Sequence, residues 1–407
     1  MGQQELIPHL FRTEYRKIVS VLSKCFGFDR IEIAEDITSD TFLTAAQTWG
    51  LNGLPQNPVA WLYIVAKNKA KNHLQRVNIF EKIAPDLKSH LSEAQEEAID
   101  LSPQNINDSQ LQMMFAICHP SISREAQIGL SLRILCGFGI EEIADAFLTN
   151  KETINKRLLR AREKLREEKI RIELPDNSQI DSRLETVLTT IYLLFNEGYY
   201  SLSQDKTLRK DLCLEAMRLC TMLVENKITN RPSVNALLSL MCFHASRFEA
   251  RMDNNGEPVL YQDQDENLWN SDLISKGGYF LYQAASGNII SKYHLEAAIA
   301  YWSTQKSDTV EKWENVLKLY NQLLQIEYSP IAALNRTYAL SKVAGKQAAI
   351  EEAEKLNLTG NPFYYSLLGE LNTGIDKEKA GKNFQKALSF IKTDTGKHAI
   401  QRKIDKL

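Results

Sequence analysis

The chain has 407 residues, 43% hydrophobic and 25% charged, which is enough for two to four domains that each bury a core. A formal net charge of -2 predicts no polyanion partner from the chain as a whole. With no run near ~18 apolar residues and no charged-then-apolar leader, a cytoplasmic protein away from the membrane is expected. The six cysteines (25, 118, 136, 213, 220, 242) form no C-x-x-C pair, the usage of a reduced compartment where thiols pack as small hydrophobes.

Apolar residues recur three and four apart almost throughout and no stretch sustains strand alternation, so the fold class is all-α. The first unit, residues 1–76, predicts helices near 9–26, 30–50 and 58–76, the last opened by Pro58 in the favoured first position. Its charge is patterned. Asp29, Glu32, Glu35, Asp36 and Asp40 face only Arg30, whereas Thr41 to Phe80 holds Lys67, Lys69, Lys71 and Arg76 and no acid. Residues 77–108, polar and acidic with Pro85 and Pro103, read as a linker with at most a short helix. A tether of ~30 residues spans roughly 100 Å when extended, beyond the ~70 Å of two duplex turns.

Residues 109–172 read as a small helical domain ending in a basic helix. Between Lys151 and Arg171 nine basic residues oppose four acidic ones. Ile140, Ile143, Ala144 and Phe147 make an apolar stripe. After the turn Leu148–Asn150, the residues Thr153, Ile154, Leu158, Ala161 and Leu165 make a second one. This is helix-turn-helix spacing, which places the second helix in a major groove ~12 Å wide. Lys151, Asn155, Lys156, Arg157, Arg160 and Arg162 are predicted on its exposed face. Arginine and asparagine forks suit base edges, and lysine neutralises phosphate. A solvated amphipathic helix would show the same pattern. In the first unit, Trp61 and Tyr63 alternate with Lys67, Asn68, Lys71, Asn72 and Arg76, the aromatic-cation mixture that single strands bind; a plain core aromatic is the simpler reading of each.

Beyond the break at Leu174–Ser178, residues 180–407 read as one helical array. Trp313, Leu317 and Tyr320, then Tyr365, Leu368 and Gly369, then Ala380, Phe384 and Ala387 fall at the spacing of tetratricopeptide hairpins. Asp263-x-Asp265-x-Asn267 begins like a calcium loop, but Leu268 and Ile274 stand where Gly and a bidentate Glu are needed, so no metal site is expected. Phosphate loops, HExxH and nucleophile elbows are absent, so neither catalysis nor a cofactor is expected. His244, with Arg247, Glu249 and Arg251 following, suggests a polar pocket, and the Asp253–Asp265 loop with Arg247 suggests a buried polar hinge pinning the array to the preceding domains.

Taken in order, the helix AEDITSDTFLTAAQTW (34–49), the segment GLPQNPVAWLYIVAKNKAKNHLQR (53–76) and TINKRLLRAR (153–162) resemble the sigma-70 family, specifically its extracytoplasmic-function group. The resemblance implies a transcription initiation factor. Glu35, Asp36, Asp40 and Phe42 would dock on the clamp helices of the beta-prime subunit of core RNA polymerase, with Ser39 where a glutamine is usual. Asn57, Trp61, Lys67, Asn68, Lys71, Asn72 and Arg76 would handle melted -10 DNA of the promoter beside a specificity loop at Gly50–Asn57. Lys151, Thr153, Asn155, Lys156, Arg157, Arg160 and Arg162 would read the -35 element, near the beta flap. IYLLFNEGYY (191–200) and LCLEAMRL (212–219) resemble the group's TPR-like extension, which implies cis regulation through Asp253, Gly256 and Pro258 and a surface for a regulatory protein. Without the resemblance, a duplex-binding regulator independent of polymerase and an enzyme built on the array remain alternatives.

Overall fold

The structure, a computed structural model, describes residues 3–83, 99–147, 149–199, 210–251, 259, 261–305, 307–391 and 394–407. Among the described residues every regular element is helical, and no helix is long and apolar enough to cross a membrane. The chain divides into two compact units, Met1–Leu194 and Phe195–Leu407.

In the first unit α1 (Gln3–Phe26), α2 (Ile31–Asn52) and α3 (Pro58–Ile83) share one core. Ile18 and Leu22 from α1, Ala34, Phe42 and Trp49 from α2, and Leu62, Ala66, Ala70 and Leu74 from α3 meet there. The buried α3 positions repeat every four residues, which leaves the opposite side of that helix to solvent. Gly53 adopts φ +79°, a left-handed value that suits glycine, and stops α2 by donating its N–H to Trp49 O at 3.1 Å.

Next come α4 (Pro103–Ile117) and α5 (Arg124–Leu130), then a π-helical turn at Ser131–Leu135, α6 (Ile140–Ala146) and α7 (Lys151–Glu167). The expected linker is shorter at both ends: α3 continues to Ile83, and Ser102 caps α4 by accepting from Asn105 N. Residues 84–98 lie outside the described residues. Helix α4 packs on α1, with Lys24 Nζ donating to Asn105 Oδ1 at 3.3 Å.

The expected boundary near 174–180 also moves. Helix α8 (Asn177–Tyr199) follows that break, yet its first part closes the first unit. Arg183 donates to Phe115 O at 2.6 Å, and Cys118 Sγ lies 3.7 Å from Thr190 Oγ1. Ile180, Leu184, Val187, Leu188 and Ile191 are buried. A proline-polar break signals a chain turn but not where a core ends, because burial is settled by packing.

The second unit continues with α9 (Lys210–Glu225), α10 (Pro232–Ala245), α11 (Ser271–Ala284) and α12 (Lys292–Trp302). Helix α10 is apolar on nearly all sides and is the centre of this group. Phe243 on α10 lies against Gly277 on α11, and Ser239 donates to Gly277 O at 2.7 Å. Six further helices follow: α13 (Val310–Ile326), α14 (Pro330–Ala344), α15 (Lys346–Leu356), α16 (Pro362–Asn372), α17 (Lys377–Phe390) and α18 (Asp394–Asp405). Each packs on the next along the chain.

Candidate nucleic-acid interface

Helix α2 is two-sided. Its inner face buries Ile31, Ala34, Ile37, Thr38, Thr41, Phe42, Ala45 and Trp49. Thr38 and Thr41 return their hydroxyls to the carbonyls of Ala34 and Ile37 at 2.7 and 2.8 Å, so hydroxyls sit in the core without an unmet bond. Asp36, Ser39, Asp40 and Leu43 are exposed on the outer face. Phe42 is placed differently from the docking role carried over to it. It is 5% exposed, edge-on to Phe11 at 5.1 Å and near Tyr15 at 6.2 Å, so it joins α1 to α2 from within. A residue four places from Thr38 shares the buried side.

The outer side of α3 carries the expected -10 residues. Asn68, Asn72 and Arg76 are exposed, while Lys67, Lys71 and Trp61 are half-buried. By helical geometry Trp61, Asn68, Lys71, Asn72 and Arg76 lie on the half turned away from Leu62, Ala66, Ala70 and Leu74, with Lys67 at its edge. Exposed Ile64 interrupts the stripe with an apolar side chain that the charge pattern did not reveal. Trp61 packs edge-on against Trp49 at 5.3 Å, so its ring is anchored on the core side. Tyr63 is committed elsewhere: its hydroxyl donates to Glu14 Oε2 at 2.5 Å, and burial with that carboxylate raises its pKa. Asn57 accepts from Ala60 N at 3.0 Å, so it caps α3. The end of α2 exposes Leu51, 88% accessible, and the loop after it exposes Leu54, so the loop expected at Gly50–Asn57 begins only at Gly53.

Helices α6 and α7 pack together across a short turn, with Ile143, Ala144, Ile154, Leu158, Ala161 and Leu165 buried. Asn150 accepts from Thr153 N at 2.8 Å and starts α7. Lys151, Thr153, Asn155, Lys156 and Arg160 are exposed, and Arg157 stands 5.3 Å over the Phe147 ring. Lys151 pairs with Glu141 across the turn.

Arg162 does not share this outward face. Its guanidinium forks onto Glu35, with Nη2–Oε1 2.9 Å and Nη1–Oε2 3.2 Å. One turn on, Arg166 reaches Glu32 at 3.4 Å and Asp29 at 3.7 Å, and Arg133 Nε lies 4.0 Å from Glu35. Thus a residue expected on -35 DNA and one expected on polymerase meet each other inside the first unit. The complementary runs at 29–40 and 151–171 were the sequence signal for this pairing.

In the second unit the expected polar cluster forms around Tyr199. His244 lies 4.6 Å from its ring, the Arg251 guanidinium stands 3.8 Å over it, and Arg247 Nη2 approaches its hydroxyl at 3.5 Å. Burial, then Arg247 and Arg251, hold His244 well below the ordinary histidine pKa. Glu249 instead pairs at the surface with Lys210 at 2.5 Å. Asp265 Oδ1 accepts from both nitrogens of Asn267 at 2.9 Å in a local turn. Among the described residues no group of His, Cys, Asp and Glu is placed to hold a metal. Asp253, Gly256 and Pro258 lie outside the described residues.

Residues 10–78, which span α1 to α3, match Sigma-70 region 2, and residues 183–285 match a Family of unknown function (DUF6596). Uncharacterized protein R00370 of Rhizobium meliloti (strain 1021) is 30% identical over 387 residues, covering 93% of this chain and 91% of that one. No solved structure matches. The chain belongs to one family with R00370, and its residues 10–78, with exposed carboxylates on α2 and a cationic face on α3, are similar to Sigma-70 region 2, a segment of sigma factors.

Proposed function

We propose that this chain is a sigma factor of the extracytoplasmic-function type, without catalysis of its own, regulated in cis by a TPR-like C-terminal array. One observation carries the reading. Within the residues matching Sigma-70 region 2, the outward face of α2 offers Asp36 and Asp40, and the outward half of α3 offers Asn68, Lys71, Asn72 and Arg76, with Lys67 at its edge. An acidic face suits a protein partner, and a cationic, amide-rich face beside aromatics suits a single strand.

In this reading α6 and α7 are a helix-turn-helix, and Lys156, Arg157 and Arg160 seat the -35 duplex. Phosphate contacts give most of the affinity and its salt dependence, while the arginine forks give what sequence preference there is. The two DNA segments are then held by separate helices of one subunit that travels with polymerase. The successive packing of α13 to α18, with Gly369 fitted against Phe384, supports the TPR-like description. Such an array offers a surface for a regulatory protein. The cytoplasm follows as its compartment.

Run-off transcription with core polymerase tests the reading. The full chain is expected to start transcription at its own promoter, and a chain ending at Tyr199 is expected to lose or misregulate that start. Failure of the full chain to direct core polymerase at any template sinks the proposal. Full, regulated activity of the shortened chain removes the cis role of the array.

A further inference from the structure

The basic helix α7 has two cationic flanks. Arg160 and Arg162 are two positions apart, a rotation of about 200°, so the two side chains leave the helix in nearly opposite directions. Arg160 goes to solvent, while Arg162 and Arg166 go to the acidic end of α2. The Arg162 and Glu35 side chains keep 13% and 16% of their accessible surface. A partner approaching Glu35 has to displace Arg162 first.

We propose that this contact is an intramolecular latch: the free protein covers Glu35 with Arg162, Arg166 lying against the still part-exposed Glu32, and binding of core polymerase requires the latch to open. The inference rests on the sigma factor reading above and adds a resting state to it. The contact has the properties of a reversible closure. It is built on ion pairs, and Arg162 Nε and Arg166 Nε are buried with no hydrogen-bond partner. The Arg162 guanidinium therefore loses water without recovering all its hydrogen bonds, while Arg166 stays part-exposed, which leaves closure close to balance. Covering is also partial, because Asp36, Asp40 and Leu43 stay exposed. An incoming surface has somewhere to land before the latch yields.

Two measurements on the full chain test this. Spin labels placed by Ala46→Cys on α2 and Lys164→Cys on α7, both exposed positions, report the separation of the two helices in a Cys25→Ser background, the other cysteines being buried. The otherwise unaltered chain is expected to give a single short distance, and Arg162→Ala with Arg166→Ala a longer, broader distribution. Combining Glu35→Arg with Arg162→Glu is expected to return the short distance, which a merely misfolded variant would not do. In parallel, affinity for core polymerase without DNA is expected to rise in the double alanine variant, by about tenfold if nine chains in ten are latched. Distances that do not respond to the alanine changes overturn the latch. Equal or weaker polymerase affinity overturns its inhibitory role. If no version binds polymerase, the sigma factor reading fails, and the distances alone still decide whether the latch exists.

Discussion

Gly369 and Phe384 are a pair in which one atom decides the fit. A Cβ on Gly369 would lie 2.5–2.9 Å from three Phe384 ring carbons, and Phe384 is buried in a core with Leu334, Tyr365 and Leu368. Gly369→Ala is therefore expected to cost ~1–3 kcal/mol by overpacking. Gly278→Ala, where a Cβ meets nothing within 4 Å, is expected to be neutral or to stabilise by about 0.5–1 kcal/mol through lost chain entropy. Urea denaturation of both variants checks the pair. In the second unit, buried His244 is expected to contribute acid sensitivity. Its folded pKa lies below its unfolded value of about 6.5, so the unfolded chain takes up the proton first as pH falls. Stability is then full above about pH 6.5 and declines below it, by up to about 1.4 kcal/mol per pH unit. His244→Gln should flatten that decline between pH 6.5 and 5. His294, lowered by burial, leaves a residual slope of the same sign.

Helices α2, α3 and α7 separate into faces whose roles can be tested apart. Asp40 is exposed and outside the ion-pair cluster, so Asp40→Arg is expected to weaken core polymerase binding at least several-fold while leaving circular dichroism unchanged. An unchanged pull-down would remove the outer face of α2 from docking. Arg157→Ala on α7 is expected to weaken promoter binding at fixed salt by ~1–3 kcal/mol if the side chain makes a bidentate base contact. Its stacking over Phe147 makes an unfolding measurement the necessary control. At this scale much of the molecule was legible. Pro58 at the start of α3, the aliphatic spacing of Leu62, Ala66, Ala70 and Leu74, and the Ile154–Leu165 stripe of α7 follow from local sterics and a period of 3.6 residues. Phe42 was not legible in the same way. A docking role was carried to it by likeness, whereas its position one turn from Thr38 puts it inside.

For the whole chain, the notable event is the meeting of two segments more than a hundred positions apart. Glu35 and Arg162 lie on helices that the sequence separates by a polar stretch, and in the first unit their side chains are within 3 Å. The closing of that unit by the first part of α8 is a second case, since the 174–178 break suggested an earlier end. The full chain's run-off transcription, set against that of the chain ending at Tyr199, bears on this scale, because the cut falls just past the unit boundary. What the sequence by itself determined was helical content, the acidic and cationic faces, the caps and the spacing of buried positions. These depend on neighbours within one or two turns. Only the tertiary structure decided which charged face meets which, where the first core ends and that Phe42 points inward. Such outcomes depend on the packing of distant helices, where desolvation and ion pairing nearly cancel and no local pattern fixes the result.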